Sequence, residues 1–243
     1  MKHFNFTIIT ISYNQAKFLS ETIRSVISQK YPKIQYIVID GGSNDNSIDV
    51  LNKFDKHIDY WISEPDKGPA DALNKGLEKA TGDFIYYLNS DDCLSEGALK
   101  RINLYLNKYP DYDFYYGHGF LLKEKKIKRI YSGKWSLKNF QKYPLPIIQQ
   151  SHFIRNSKKL KEIGFNNNNK TCWDLELMID LTLIGYKFKR YNFHTGIFRI
   201  HNQSITGGSD NKDEHARNIE RLKKVCSKDK YYKRQSNFIY FFV

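Results

Sequence analysis

Two adjacent aspartates, Asp91 and Asp92, sit where an apolar run, Phe84 to Leu88, gives out, with Asn89 and Ser90 between. Upstream lies a loop of lysine and carboxylates, Ser63-Glu64-Pro65-Asp66-Lys67-Gly68. Acids at the end of a buried strand add nothing to packing. They suit Mg2+ or Mn2+, hard cations that take carboxylate oxygens and complete their shells with phosphate and water. A helix cap is the competing use, since Asp92 or Ser95 would cap a following helix. Other apolar runs end in comparable residues: Ser12-Tyr13-Asn14 after the first and Asp40-Gly41-Gly42-Ser43 after the second. Taken together, these ends favour a metal and phosphate site over a cap.

The elements that would position them alternate. Phe6 to Tyr13, Ile34 to Ile39, Ile58 to Ile62, Phe84 to Leu88 and Asp113 to Gly117 read as strands. Between them, Phe18 to Gln29, Ser47 to Phe54, Pro69 to Ala80 and Ser95 to Tyr109 have helical spacing of apolar residues. This order implies βαβ units in a mostly parallel sheet with helices on both faces, an α/β fold. Ligands of such sheets bind beyond the carboxyl ends of the strands, where the polar residues above fall. After about residue 120 the chain changes to short aromatic and basic segments, then a helix from Trp173 to Ile184 and a strand from Tyr186 to Ile200. We expect residues 1–118 to form a ligand-binding half, 119–210 to complete the same domain as the far wall of the crevice, and 211–243 to be a basic, aromatic tail docked on the body.

Composition bounds the rest. The 243 residues, 40% apolar, can bury a core, and the formal charge of +13 suits phosphorylated ligands or an anionic membrane surface. The basic residues are spread along the chain rather than gathered, which argues against nucleic acid. The run Lys123 to Arg129 reads as a solvated hairpin. Cys93, Cys172 and Cys226 cannot all pair and lack metal-ligand spacing, so we expect reduced thiols and a cytoplasmic location. The N-terminus enters a strand-like run directly, so we expect no signal peptide, and no apolar stretch nears the ~20 residues that span a bilayer. There is no G-x-G-x-x-G after the first strand, no P-loop and no G-x-S-x-G.

Thr10-Ile11-Ser12-Tyr13-Asn14, Ile39-Asp40-Gly41-Gly42-Ser43-Asn44-Asp45, the Ser63 to Gly68 loop, Asn74-Lys75-Gly76, Ala80-Thr81-Gly82-Asp83 and Asn89-Ser90-Asp91-Asp92 follow one another in an order that resembles glycosyltransferase family 2. The resemblance continues more weakly through Ile148 to Ser151, Trp173 to Glu176 and Phe198 to Ser204. The Ser-Glu-Pro-Asp-Lys-Gly variant is most similar to bacterial enzymes that build O-antigen, capsule or exopolysaccharide. It implies a GT-A fold and an inverting, metal-dependent hexosyltransferase that uses a nucleotide sugar, UDP-linked, on a glycan or lipid-linked oligosaccharide.

The same resemblance implies roles for individual residues. Tyr13 would lie against the nucleotide base and Asp40 would accept a hydrogen bond from it, with Ser12, Asn14 and Ser43 around them. Lys67, Asp71 and Asn74 would meet the diphosphate or sugar. Asn89, Ser90 and Asp91 would hold the ribose side of the donor, and Asp92, with Asp91 and His201, the Mn2+ or Mg2+. Asp174 would be the catalytic base, Trp173 an aromatic platform for the acceptor sugar, and Glu176 an acceptor contact and the fallback base. Each has a plainer use: a turn for Asp40, a solvated loop for Lys67, an N-cap for Asp174.

Three positions depart from the family pattern. Asn89 stands where many members have Asp, Leu73 where many have Arg, and Trp173 where many have Glu before the base. Two other classes remain in view: a nucleotidyltransferase, disfavoured by the lack of a Gly- and Arg-rich loop after the first strand, and a non-catalytic sugar-nucleotide or glycan-binding protein. The expected location is the cytoplasm, peripheral on the cytoplasmic face of the inner membrane.

Overall fold

The first strand, β1 (Phe6–Ser12), is buried along its whole length. That requires cover on both faces, and the alternation of its side chains shows how it is achieved. Phe6 and Ile8 enter one core with Leu19, Ile23 and Val26 of α1 (Ala16–Ile27). Ile9 and Ile11 enter the other with Leu73 and Leu77 of α3 (Pro69–Lys79). β2 (Ile34–Asp40) and β4 (Phe84–Asn89) divide in the same way, Val38 and Tyr86 to the first core, Ile37 and Tyr87 to the second. A period of two in the strands and 3.6 in the helices thus produces a three-layer α/β arrangement.

The computed structural model of the chain describes residues 1–142, 147–202, 204 and 212–227. The remaining elements, in chain order, are α2 (Ser47–Phe54), β3 (Tyr60–Ser63), β5 (Cys93–Leu94), α4 (Ala98–Lys108), β6 (Phe114–Lys123), β7 (Lys126–Ile130), α5 (Leu137–Lys142), β8 (Phe153–Arg155), α6 (Lys158–Ile163), α7 (Trp173–Leu183), β9 (Phe188–Ile200) and α8 (Lys212–Ser227). The sheet runs β3-β2-β1-β4-β8-β6-β9-β5, with β7 on β6. β1 to β4 are mutually parallel, but β8 is antiparallel to both β4 and β6. The sheet is therefore mixed, with a parallel core of β1 to β4, as expected, and antiparallel pairings where the second half joins it. Short β8 seats the second half against the first and makes one continuous sheet. The expected division at residue 118 falls inside β6.

Register places the strand ends in a row. Ser12 pairs with Asp40, Asp40 with Ser63, and Ile11 with Asn89. The tail expected from residue 211 contains a docked helix: α8 packs on α5, and its Leu222 is fully buried in the second core. Residues 228–243, including Phe238 to Val243, lie outside the described residues.

α3 approaches the sheet closely because Gly76 has no side chain. A Cβ there would lie 2.4 Å from Cγ2 of the fully buried Ile9. Gly76→Ala is expected to lower the unfolding free energy by about 1–3 kcal/mol through overpacking, read as a lower urea midpoint at unchanged slope.

Candidate active site

The row of strand ends is held by short-range polar bonds. Asp40 is fully buried. Its Oδ1 accepts the Ser43 hydroxyl at 2.6 Å, and its Oδ2 accepts the Ser43 backbone N–H at 2.8 Å and the Ser63 hydroxyl at 2.7 Å. The Asn14 N–H in turn donates to Ser43 Oγ at 2.7 Å, with Asn14 itself in the left-handed region (φ 53°). Asp40 is therefore the centre of a turn that joins three strand ends, and both its oxygens are engaged. Tyr13 projects from this turn 60% exposed, free to meet a planar ring. Ser12 is buried, and its hydroxyl has no hydrogen-bond partner among the described residues.

The Ser63 to Gly68 loop follows. The Asp66 carboxylate accepts the Gly68 N–H at 2.7 Å, and its burial raises its pKa. A Cβ at Gly41 would lie 2.6 Å from Asp66 Oδ2, so glycine there lets the Asp66 carboxylate keep its place. Lys67 is exposed, and its N–H donates to Asp71 Oδ2 at 3.1 Å. Lys75 is bound to Glu64 at 2.7 Å. Asn74 brackets Phe165, donating to its carbonyl at 2.9 Å and accepting its N–H at 2.7 Å. Asn74 thus ties α3 to the loop before α7 and has no open donor or acceptor aimed at a ligand.

At the end of β4 the two acids part company. Asp92 is buried, its Oδ1 accepting the Arg199 N–H at 2.8 Å and its Oδ2 accepting Gln150 at 2.6 Å and Asn89 at 3.2 Å. Burial, and then the charge of Asp91, push its carboxyl well above the usual carboxylate range. An acid so fully bonded holds protein to protein, so the expectation of Asp92 as the leading metal ligand is corrected. Asp91 is the presented acid, its Oδ2 3.0 Å from His201 Nε2. The His201 ring lies against Phe18, centroids 4.6 Å apart.

A carboxylate oxygen beside an imidazole nitrogen is a donor set that suits Mn2+. Among the described residues no three His, Cys, Asp or Glu side chains converge on one point. Asp91 and His201 would therefore supply two ligands, leaving the others to phosphate and water. Gln149, Gln150 and Arg199 complete this corner. Gln149 Oε1 accepts from both Asn89 and Gln150, and the Arg199 guanidinium reaches the Asp91 carbonyl and Glu21. These three fall inside the weaker family motifs, but their roles were not legible there, because their partners at the end of β4 lie 58 or more positions away.

The remaining expected residues lie on α7. Asp174, in its first turn, is half-buried, and burial raises its pKa, opposed by nearby backbone N–H groups and His215 of α8. Its charge is felt by Tyr87 on β4, whose hydroxyl pairs with Nδ1 of His152 at 2.8 Å. Trp173 and Glu176 differ from expectation. Trp173 is 6% exposed and belongs to the second core, so its ring cannot be a sugar platform. Glu176 is fully buried and is bonded by Arg221, Asn166 and Asn169, which hold its pKa at about 2. It is a structural acid and no base.

A mixed α/β sheet with polar residues in register at the ends of its parallel strands, and an aspartate in the first turn of a helix of the second half, is the GT-A arrangement. The model of the family described as Glycosyl transferase family 2 matches residues 7–164, and the chain belongs to that family. The GalNAc(5)-diNAcBac-PP-undecaprenol beta-1,3-glucosyltransferase of Campylobacter jejuni is 28% identical over 254 aligned positions, 94% of this chain and 78% of that protein. An uncharacterized glycosyltransferase of Mycobacterium tuberculosis is 43% identical over 90 residues, 37% of this chain and 34% of that protein. The chain thus spans about a third of the length of that relative. Among solved structures, Staphylococcus aureus TarS in complex with UDP-GlcNAc superposes with a TM-score of 0.73 at 16% identity, over 91% of this chain and 66% of that one, which bears out the fold.

Glu176 carries a pH signature. Its folded pKa, about 2, lies below the ordinary 4.5. Its stabilisation is complete above that ordinary value and is lost as pH falls toward the folded one. Glu176→Gln is expected to cost about 2 kcal/mol at neutral pH and to flatten the acid limb of stability. Urea unfolding at neutral and at acid pH checks both.

Proposed function

We propose that the chain is an inverting glycosyltransferase that moves a hexose from a nucleotide sugar to a lipid-linked or oligosaccharide acceptor during bacterial surface-polysaccharide assembly. The observation that carries this is the register that sets Ser12, Asp40, Ser63 and Asn89 side by side at the ends of the parallel strands, in a chain whose family model matches glycosyltransferases, with Asp174 in the first turn of α7 as the candidate base. Similarity to an enzyme named for an undecaprenol-linked glycan supports the acceptor class, and the UDP-GlcNAc bound to TarS supports a UDP-linked donor.

Tyr13 would stack on the base, and the turn built on Asp40 would present backbone and hydroxyl groups to it. The N-terminus of α3, with Lys67 and Asp71 beside it, would receive the phosphate side of the donor. Asp91 and His201 would hold a divalent ion, which when bound supplies positive charge for the leaving diphosphate. Asp174 would take the proton from the acceptor hydroxyl as that oxygen attacks the anomeric carbon. The bond to the diphosphate breaks on the opposite face, so the configuration inverts. A base whose pKa burial has raised keeps more proton affinity than an ordinary aspartate, yet must be ionised to act.

The acceptor's lipid would bring the enzyme to a membrane. No helix among the described residues is long and apolar enough to cross one. The β6–β7 hairpin offers a peripheral contact: Lys123, Lys125, Lys126, Lys128 and Arg129 are exposed around Ile127, itself 60% exposed.

Asp174→Asn is expected to lower turnover by at least about a thousandfold without loss of fold. The acid limb of wild-type kcat should lie above the pH of a free aspartate, because the base form is lost as pH falls through the raised pKa. UDP release in a screen of nucleotide sugars over a pH range tests both; full turnover in Asp174→Asn removes the base assignment. Asp91→Ala should abolish the Mn2+-dependent rise in melting temperature given by UDP. Asp92→Ala should lower melting temperature even without ligand, because it strips the bonds to Arg199 and Gln150.

A further inference from the structure

Glu176 lies two residues beyond Asp174, and a buried carboxylate is costly unless its lone pairs are answered. Among the described residues, four donors answer them. Arg221 of α8 donates through Nη1 at 3.1 Å and Nη2 at 2.8 Å, one to each oxygen, with Asn166 at 2.9 Å and Asn169 at 2.7 Å beside it. The two asparagines belong to the run Asn166 to Asn169, and their other atoms are committed too. Asn169 Oδ1 accepts the N–H groups of Thr171 and Cys172, the last residues before α7. Asn166 Oδ1 accepts the N–H of Asn168.

The loop's other side faces the donor-binding half. Asn167 donates to Asp71 at 3.3 Å and accepts from Asn74 at 3.0 Å, and the Lys170 ammonium donates to the Lys67 carbonyl. Asn218 of α8 adds a bond to Thr171 at 3.0 Å. One polar chain thus runs from the loop after β3, across residues 164–172, into the first turn of α7 and out to α8. Phe165 and Cys172 anchor the ends of this loop in the core, but the four consecutive asparagines between them have no apolar side chain to fix their shape. The shape of the asparagine run comes from this wiring, and the bidentate guanidinium is the strongest polar fixed point in it.

We propose that Arg221 is a positioning residue for sugar transfer: by clamping Glu176 it sets the asparagine loop that links the donor-side residues Asp71 and Asn74 to Asp174. The inference rests on the reading of Asp174 as base. His215, earlier on the same helix, acts in the same direction by favouring the Asp174 carboxylate. α8 is thereby part of the catalytic apparatus rather than a tail.

The test uses the full chain and three variants, Arg221→Met, Arg221→Lys and Asn167→Ala. Turnover is followed as UDP release from UDP-glucose, UDP-galactose and UDP-GlcNAc with a membrane extract as acceptor. Binding of UDP with Mn2+ is measured by calorimetry. Arg221→Met should lower kcat roughly tenfold to a hundredfold, as for a displaced catalytic group, while UDP affinity changes by less than about threefold. Arg221→Lys should restore part of the loss. Asn167→Ala, which spares the ion pair, should also lower kcat with UDP affinity kept. Wild-type kcat in folded Arg221→Met overturns the inference, as does a loss of kcat and UDP affinity in parallel. If Arg221→Met does not fold, wild-type kcat in Arg221→Lys and Asn167→Ala together overturns it. Full turnover in Asp174→Asn defeats the base reading itself, whereas an inactive Asp174→Asn beside an active Arg221→Met defeats only the role of Arg221.

Discussion

A buried carboxylate at the end of β4 sets the terms for the crevice. Asp92 can remain in the interior only if its oxygens are answered, and the answers come from β9 and from the 3-10 turn Gln149–Ser151. To bond Asp92, the second half of the chain must close over the parallel strands in one place. That closure carries Arg199 to Glu21 and His201 to Asp91. The acid that looks like a ligand is therefore the fastener, and its neighbour becomes the group that meets the ligand.

A second buried carboxylate does similar work on the opposite wall. Glu176 gathers Asn166, Asn169 and Arg221, and so joins a loop, a helix start and the C-terminal helix. The two acids differ in their balance of forces. Asp92 has neutral donors and an acidic neighbour, so its pKa rises. Glu176 has a guanidinium, so its pKa falls to about 2. Asp174 has neither a full set of donors nor a cation in contact among the described residues, and burial leaves it more basic than an ordinary aspartate. Ionisable groups placed for structure and those placed for chemistry are distinguished by how completely the protein satisfies them.

Much of the architecture was legible in the chain. The helices 47–54 and 69–80 and the strands 6–13, 34–39 and 84–88 agree with the structure to within a few residues, because burial on two faces imposes its period on local sequence. The second half was less legible. β5, β8 and α6 are short, with two, three and six residues, and too brief for periodicity to register. α8 was hidden by its charge: only one stripe of it is buried, and the rest reads as solvated tail. Trp173 was misread because an aromatic at a helix start looks the same in sequence whether it faces sugar or core.

By itself the sequence determined the strand-end chemistry: which residue types stand at Ser12, Asp40, Ser63 and Asn89 to Asp92, since a strand's end and its turn are written within a few adjacent positions. It determined the family for the same reason, through motifs that are local and ordered. Only the tertiary structure decided which acids act and which fasten. That choice rests on partners 107 positions from Asp92 and 45 from Glu176. Hydrogen bonds and desolvation are set by distance in space, and no spacing along the chain encodes them.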